Sequence, residues 1–364
     1  MEPHFKFVYT RKKPDSKCGS LKTDISLYKV TADTTLDFST NEQTSNTNFA
    51  RMDLFIELKP SKIEDGFHDD ESKEVRSDKG RRTRSQLATC AAAQMTTQFR
   101  THLFSILICG PLARFILWDR AGAIFTKSFD YVKDPRLLVR FFYNYVRLSS
   151  EERGFDSSAV SVVHDRISLS ENNIRHLISP HNNRDLASGL PKKGDLSLFI
   201  LEIPPGDEGG ESRKVVVLHP EYSVQSPFGR ATRVMPAVDL ESKTHVFVKD
   251  YWRPNGEGVE KEGDNYRKLR QHNVRNIANF YCGSDVRSQI TIRQRYGDQA
   301  ANPLEGFQHY RMALQDIGRA LTTFESTREM INAIADAVRV KHKSLFLFFC
   351  MTKLPLGHSP SGCL

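Results

Sequence analysis

A lysine and two glutamates lie close together in the sequence, in a pattern that can hold an anionic group. Lys249 ends a short run of β-branched and aromatic residues, Val246–Val248. Glu260 and Glu262 follow a Pro/Gly-rich turn, in the first turns of a helical pattern. A carboxylate on that helix can pair with the lysine and fix its direction toward a phosphate. The alternative is a surface strand beside a solvated, charged helix, and spacing alone leaves both interpretations open.

Four polar residues nearer the N-terminus form a second candidate site. Asp24 begins one predicted strand, and Gln86 opens a later helix. Glu57 and Lys59 lie on a strand between them. This order resembles the restriction-endonuclease-like fold, which implies two carboxylates that hold Mg²⁺ and a lysine beside the scissile phosphate. Because Glu-x-Lys is a common tripeptide, solvated strand residues are the alternative. Other carboxylates that could serve as metal ligands are Asp53, Asp65 and Asp69.

The elements that must position this second site alternate between strands and helices. Apolar and β-branched runs bounded by turn residues predict strands at 23–28, 51–60, 105–110, 113–119 and 122–127. An alanine-rich stretch predicts a helix from residue 83, and an amphipathic pattern predicts another at 134–148. Residues 21–150 are therefore expected to form one mixed α/β domain.

The rest of the chain divides into four further segments. Residues 1–20 are charged and aperiodic, which favours a disordered arm, and residues 151–195 are interpreted as a helical connector. Residues 196–340 form a second unit of α+β type, with strands predicted at 197–203 and 213–219 and a helix at 326–339. Residues 341–364 differ abruptly in composition and are interpreted as an aberrant tail, of spliced or mis-assembled origin.

Composition narrows the class of protein without identifying a partner. The 364 residues carry a net charge of +8, which suits an anionic partner such as nucleotide or nucleic acid. The six cysteines are scattered without a Cys-x-x-Cys pair, which argues against a zinc site and a disulfide framework and favours an intracellular, cytoplasmic or nuclear, location. No run of 18 apolar residues occurs, so no membrane span is expected. The basic run at 79–84 could serve nuclear import or touch phosphate, although a solvated loop is more common.

Several segments together resemble one family. GRATR, VFVKDYWR, EKEGDNYRKL and the stretch 310–318 occur in the order found in the fungal-type protein kinase family. SQLATCAAAQM, THLFSILICGPLARFILWDRAGAIFTKSF and RGFD resemble the N-terminal region of the same family. The resemblance covers roughly residues 20–340 and implies that the second unit is a kinase-like small lobe with the start of a large lobe.

The resemblance also implies roles for individual residues. Lys249 would contact the α- and β-phosphates of ATP, and Glu262 would be its partner, with Glu260 as a possible substitute. Gly229 would belong to the loop that covers the phosphates, although the three-glycine pattern of that loop is missing. Residues that would line the adenine end are Leu314, Gln315 and Ile317.

The catalytic loop of a kinase is missing from this sequence. Neither His-Arg-Asp nor Asp-Phe-Gly occurs, and the His-Asp-Arg at 164–166 has the wrong order and precedes the lysine strand. Three hypotheses follow. The chain is a kinase-family member, phosphorylating protein Ser/Thr with Mg·ATP in a complete form but inactive by itself. It is a pseudokinase that binds nucleotide or a protein partner. Or its N-terminal domain is a metal-dependent nuclease that acts on nucleic acid.

Overall fold

The computed structural model describes residues 4–30, 46–70, 77–163, 167–178, 197–206, 209–220, 226–256, 258–296, 306–316 and 324–352. Its architecture is mixed α/β, with two sheets that follow one another along the chain. A mixed α/β fold class was expected, and this architecture is compatible with a kinase-like fold.

The first sheet has seven strands in the order β1-β2-β3-β4-β5-β6, with β7 paired to β5. The strands are β1 (His4–Tyr9), β2 (Ile25–Val30), β3 (Leu54–Lys59), β4 (His102–Cys109), β5 (Leu112–Asp119), β6 (Gly122–Phe125) and β7 (Phe129–Asp130). β3 and β4 are parallel, and the helix α1 (Asp78–Thr97) connects them as a crossover. The other pairings are antiparallel.

Helices cover both faces of this sheet. The small side chains of α1, such as Ala91 and Ala93, pack closely on one face with Phe55 and Leu107. The helix α2 (Arg136–Tyr145) covers the other face, where its aromatic residues contact the opposite side of β3 and β4. Since side chains alternate along a strand, the apolar residues of the central strands fill two separate cores.

The prediction of a disordered arm at 1–20 is wrong for the described residues of that segment. Residues 4–9 form β1 and pair along their whole length with β2. The Asp15 carboxylate then accepts backbone hydrogen bonds from Lys17 and Phe49, and Cys18 is buried. The exposed charges of this segment, Arg11, Lys12, Lys13 and Lys17, follow β1 along the chain, and composition alone does not reveal that β1 pairs with β2.

The second sheet also has seven strands, in the order β13-β14-β12-β11-β10-β9-β8, and all neighbours are antiparallel. The strands are β8 (Ala159–Val163), β9 (Ser197–Ile203), β10 (Arg213–Leu218), β11 (Arg233–Asp239), β12 (His245–Pro254), β13 (Phe280–Ile290) and β14 (Phe307–Leu314). The remaining helices are α3 (Glu171–Ile178), α4 (Glu262–Gln271) and α5 (Thr327–Thr352).

Two segment boundaries differ from expectation. The connector at 151–195 is not purely helical, because its residues 159–163 form β8 at the edge of the second sheet. α5 begins where the capping pattern predicted but continues to Thr352, beyond residue 339 and into the interpreted tail. The rejected His-Asp-Arg at 164–166 lies outside the described residues.

Candidate nucleotide site

The structure brings Lys249 and Glu262 together. β12 runs between β11 and β14, and its alternation turns Val246 and Val248 into one core while Lys249 and Tyr251 lie on the other face. The Lys249 Nζ donates hydrogen bonds of 2.7 and 2.6 Å to the two oxygens of Glu262. Each side chain is about one quarter exposed, so the pair is partly desolvated yet open to a ligand.

The start of α4 is held close to the sheet by a glycine. The Gly263 N–H donates to the Tyr310 hydroxyl at 3.1 Å. A Cβ atom at this position would lie 2.6 Å from the Tyr310 oxygen and 2.8 Å from the Phe280 ring. Only glycine permits this approach without displacing the helix. Since Glu262 lies in the first turn of α4, the helix dipole also favours its negative charge.

The ring of Tyr251 lies beneath two cationic groups. The Lys249 ammonium and the Arg230 guanidinium each lie 5.0 Å from the ring centroid. Burial and the neighbouring Glu262 carboxylate raise the pKa of the Tyr251 hydroxyl well above its usual value, so this residue stays neutral. Arg230 therefore adds positive charge beside Lys249 that the glutamate does not neutralise.

Glu260, the alternative partner, pairs elsewhere. Its carboxylate contacts the Lys268 ammonium, and both side chains are largely exposed. In this structure Glu262 alone of the two predicted glutamates contacts Lys249.

Comparison with known families identifies the chain. The model of the family described as fungal protein kinase matches residues 67–348, which includes Lys249, Glu262 and most of the first sheet. The chain belongs to the fungal protein kinase family. No curated protein and no solved structure matches it.

The loop before β11 of this fungal protein kinase chain is attached to the first unit. The Gly229 N–H donates to the Arg120 carbonyl at 2.8 Å, and the Arg120 guanidinium donates to the Pro227 carbonyl at 3.0 Å. The Phe228 ring stacks on Trp118, with centroids 6.0 Å apart. The backbone N–H of Gly229, a residue that the resemblance assigns to the phosphate-covering loop, is thus used in a contact between the two units.

Two of the three residues expected at the adenine end are described. Leu314 ends β14 and packs against the cluster that contains Tyr251 and Tyr310. Gln315 is exposed, and its backbone N–H donates to the Asn279 carbonyl at 2.9 Å. Ile317 lies outside the described residues.

The structure also gathers the four residues of the second candidate site. The Lys59 ammonium donates to the Glu57 carboxylate at 2.7 Å and to the Gln86 side-chain oxygen at 2.9 Å. Gln86 in turn donates to Glu57 at 2.7 Å. Asp24 accepts a hydrogen bond of 2.8 Å from the Leu58 N–H on the same strand as Glu57. Burial raises the pKa of Glu57 to about 7, with Asp24 adding to this effect and Lys59 opposing it.

The other carboxylates considered as metal ligands have structural partners. Asp53 binds the Arg153 guanidinium at 3.0 Å, whereas Asp65 and Asp69 both bind Arg114. Across the part of the chain that the structure describes, no group of three or more His, Cys, Asp or Glu residues is arranged to hold a metal ion.

A buried ionic network joins the second sheet to the segment that precedes it. Arg311 is fully buried and donates to Asp250 at 2.8 Å and to Asp156 at 3.0 Å. Asp156 ends the RGFD stretch, whose Arg153 binds Asp53 in the first unit. This stretch resembled the family from sequence, and the structure shows why its residue types matter: both charged ends are buried ion-pair partners. Among the described residues, no helix is long and apolar enough to cross a bilayer.

Proposed function

We propose that this chain binds a nucleoside triphosphate in the manner of a kinase small lobe, through Lys249. The observation that carries the proposal is the contact of Lys249 with both oxygens of Glu262, inside the region that the family model matches. An ammonium has three N–H donors. Because Glu262 takes two of the hydrogen bonds, the third can reach a phosphate oxygen while the lysine is held in place. Arg230 supplies a second positive charge for the polyphosphate.

The adenine would lie toward the end of β14. Leu314 supplies an apolar surface on the same cluster as Tyr251, and in the register of the sheet it lies two pairs beyond the Lys249–Met312 pair. Since the Gln315 N–H is already bonded to Asn279, we propose that its carbonyl rather than its N–H faces the base.

We propose nucleotide binding without phosphoryl transfer for this sequence. Transfer requires an aspartate that accepts the substrate proton and two side chains that hold Mg²⁺, which kinases supply from His-Arg-Asp and Asp-Phe-Gly motifs. Neither motif occurs in these 364 residues. Lys249 and Arg230 fit the phosphates, and among the described residues no group of three or more His, Cys, Asp or Glu side chains is arranged to replace those magnesium ligands, so the metal would arrive bound to the nucleotide. The role that follows is that of a pseudokinase, which uses nucleotide binding to stabilise a surface for a protein partner.

A thermal-shift titration of the full chain with Mg·ATP tests the proposal. A ligand that binds only the folded state raises the melting temperature with concentration. We expect a saturating rise for the wild type that is lost in Lys249→Ala. Lys214→Ala is the matched control, because Lys214 is an exposed lysine of the same sheet on β10, which β11 separates from β12. An equal rise in Lys249→Ala would remove the assigned role of this lysine.

A further inference from the structure

Two arginines meet at the junction of the two units and share one carbonyl oxygen. Arg120 follows β5 in the first unit, and Arg233 begins β11 in the second. The Nη2 group of Arg120 donates to the Met95 carbonyl at 3.3 Å, and the Nη2 group of Arg233 donates to the same carbonyl. Like charges repel strongly where little water screens them, so this arrangement needs a negative charge nearby.

The described residues do not supply that charge by direct contact. Arg120 is 1% exposed, and its guanidinium donates to the carbonyls of Met95 and Pro227. Its Nε is buried and has no hydrogen-bond acceptor among the described residues. Arg233 donates to the carbonyls of Met95 and Gln98. No described carboxylate forms an ion pair with either arginine, although Asp250 acts on both from a greater distance.

The surroundings of Arg120 disfavour its positive charge. Burial lowers the pKa of this guanidinium to about 9, and Arg233 adds to the effect, while Asp250 and Asp119 oppose it only in part. A guanidinium nevertheless stays charged at pH 7. A buried charge is costly unless it is paired, and a bound anion would pair it.

A small cavity lies beside the two guanidinium groups. Both arginines line it, together with Arg100 and the rings of Phe99 and Trp252. Its free space is about 10 Å³ for the centre of a water-sized sphere, which holds one monatomic ion or one water molecule and excludes phosphate and carboxylate groups. An acceptor for the Nε of Arg120 can therefore lie in this cavity.

The two aspartates that also line the cavity already have cationic partners. Asp156 and Asp250 bind Arg311 at 3.0 and 2.8 Å. Asp250 also contacts His309 at 2.7 Å, and Asp156 accepts a hydrogen bond of 2.6 Å from the Ser158 hydroxyl. Three arginines line the cavity against these two carboxylates, and Arg311 adds a further positive charge. The charged groups around the cavity are therefore positive overall.

We propose that Arg120 and Arg233 bind one small monovalent anion of the chloride type in this cavity, as a counter-ion at the junction of the two units. The size of the cavity selects a halide. Chloride is more weakly hydrated than fluoride and loses less on leaving water, which suits a lining that is partly aromatic. The ion would accept a hydrogen bond from the Nε of Arg120 and offset the repulsion between the two guanidinium groups. This site is separate from the nucleotide site and does not depend on it.

Quenching of tryptophan fluorescence by bromide tests the site, because Trp252 lines the cavity and is only 4% exposed. The full chain is titrated with sodium bromide, and sodium gluconate keeps the ionic strength constant. We expect saturable quenching that chloride relieves. Trp118→Phe, which leaves Trp252 as the one tryptophan of the chain, should keep this signal.

Variants of single arginines connect the signal to the cavity. Arg120→Met should weaken bromide binding about tenfold or more, because the anion loses a charged donor. Arg140→Met, which changes an exposed arginine of the same unit, is the matched control and should be quenched like the wild type. Quenching that rises linearly with bromide, or that is the same in Arg120→Met, would overturn the proposal.

A second measurement needs no variant and covers the case in which Arg120→Met does not fold. Replacing gluconate by chloride at constant ionic strength should raise the melting temperature of the wild type to a plateau, because a ligand that binds only the folded state stabilises it. Screening of surface charges is the same in both buffers. An unchanged melting temperature would overturn the proposal and assign the cavity to a water molecule.

Discussion

Replacing Arg311 with methionine should destabilise the chain severely, because two buried carboxylates would lose their cationic partner. Arg311 is fully buried between Asp156 and Asp250. Breaking a buried ion pair from one side costs about 3–5 kcal/mol, since the remaining charge stays uncompensated. Some compensation survives here: Asp250 keeps a 2.7 Å contact to His309, and Asp156 keeps a 2.7 Å hydrogen bond from Gln289.

We therefore expect the lower end of this range, about 3 kcal/mol, or a melting temperature lowered by roughly 6–12 °C. Thermal unfolding followed by circular dichroism measures the change. Arg175→Met is the control, because Arg175 pairs with Glu171 on an exposed helix surface, where such pairs contribute only about 0.3–0.5 kcal/mol. The melting temperature of Arg311→Lys should lie between those of Arg311→Met and Arg175→Met. A lysine keeps the charge but cannot donate to both carboxylates from a planar group. Equal melting temperatures for Arg311→Met and Arg175→Met would refute the reasoning.

Three further predictions concern acid stability, backbone conformation and the nucleotide site. Burial favours the neutral form of Asp156, but Arg311 and the adjacent imidazole hold the pKa of this carboxyl below its usual value, so its charge stabilises the fold above pH about 4. The melting temperature of Asp156→Asn should lie well below that of the wild type at pH 7, and the gap should narrow as the pH falls below about 4. Gly154 has φ of +96°, and an added Cβ would meet a backbone carbonyl oxygen at 1.9 Å, so Gly154→Ala should cost on the order of 3 kcal/mol in urea denaturation. Gly263→Ala should weaken Mg·ATP binding about tenfold in calorimetric titration, because it pushes α4 and its glutamate away from the lysine.

Each of these has its own control and contrary result. If the difference in melting temperature between the wild type and Asp156→Asn stays constant from pH 7 to pH 3, the charge of Asp156 contributes nothing to stability. Gly209→Ala separates steric clash from backbone strain, because Gly209 has φ of +82° with no atom within 4 Å of an added Cβ. An equal cost for the two alanine variants would mean that the clash at Gly154 is relieved freely. Gly256→Ala, which changes a loop glycine that precedes α4, is the control for Gly263→Ala. Equal affinities of the two variants for Mg·ATP would show that the position of α4 does not affect nucleotide binding.

The pairing of Lys249 with Glu262 could be predicted from the sequence. A lysine at the end of an apolar run and a carboxylate in the first turn of the next helix define both positions, and the family resemblance chose between the two glutamates. The choice of Glu262 has a physical basis in Gly263, which lets the helix approach the sheet at that turn. The close approach of α4 to the sheet was not predicted from the sequence, although the glycine directly after the glutamate is a signal for it.

Contacts between segments that lie far apart in the sequence could not be predicted from it. The disordered-arm prediction failed because β1 is stabilised by pairing with β2, a partner that charge content does not reveal. The role of Gly229 depends on Arg120, which lies more than a hundred residues earlier in the chain. The sequence predicted that Glu57, Lys59 and Gln86 lie together. It could not predict that Oε2 of Glu57 lacks a hydrogen-bond partner, because this depends on how the side chains pack.

The most direct test of the central claim compares the binding of Mg·ATP and adenosine to the wild type and to Lys249→Gln, by calorimetric titration of the full chain. If Lys249 holds phosphate, its removal should cost about 1.5–3 kcal/mol for ATP, a loss of roughly 10- to 150-fold, and leave adenosine binding unchanged. The preference for ATP over adenosine should therefore collapse in Lys249→Gln and persist in Lys214→Gln. The same preference in both variants, or no ATP binding by the wild type, would contradict the account.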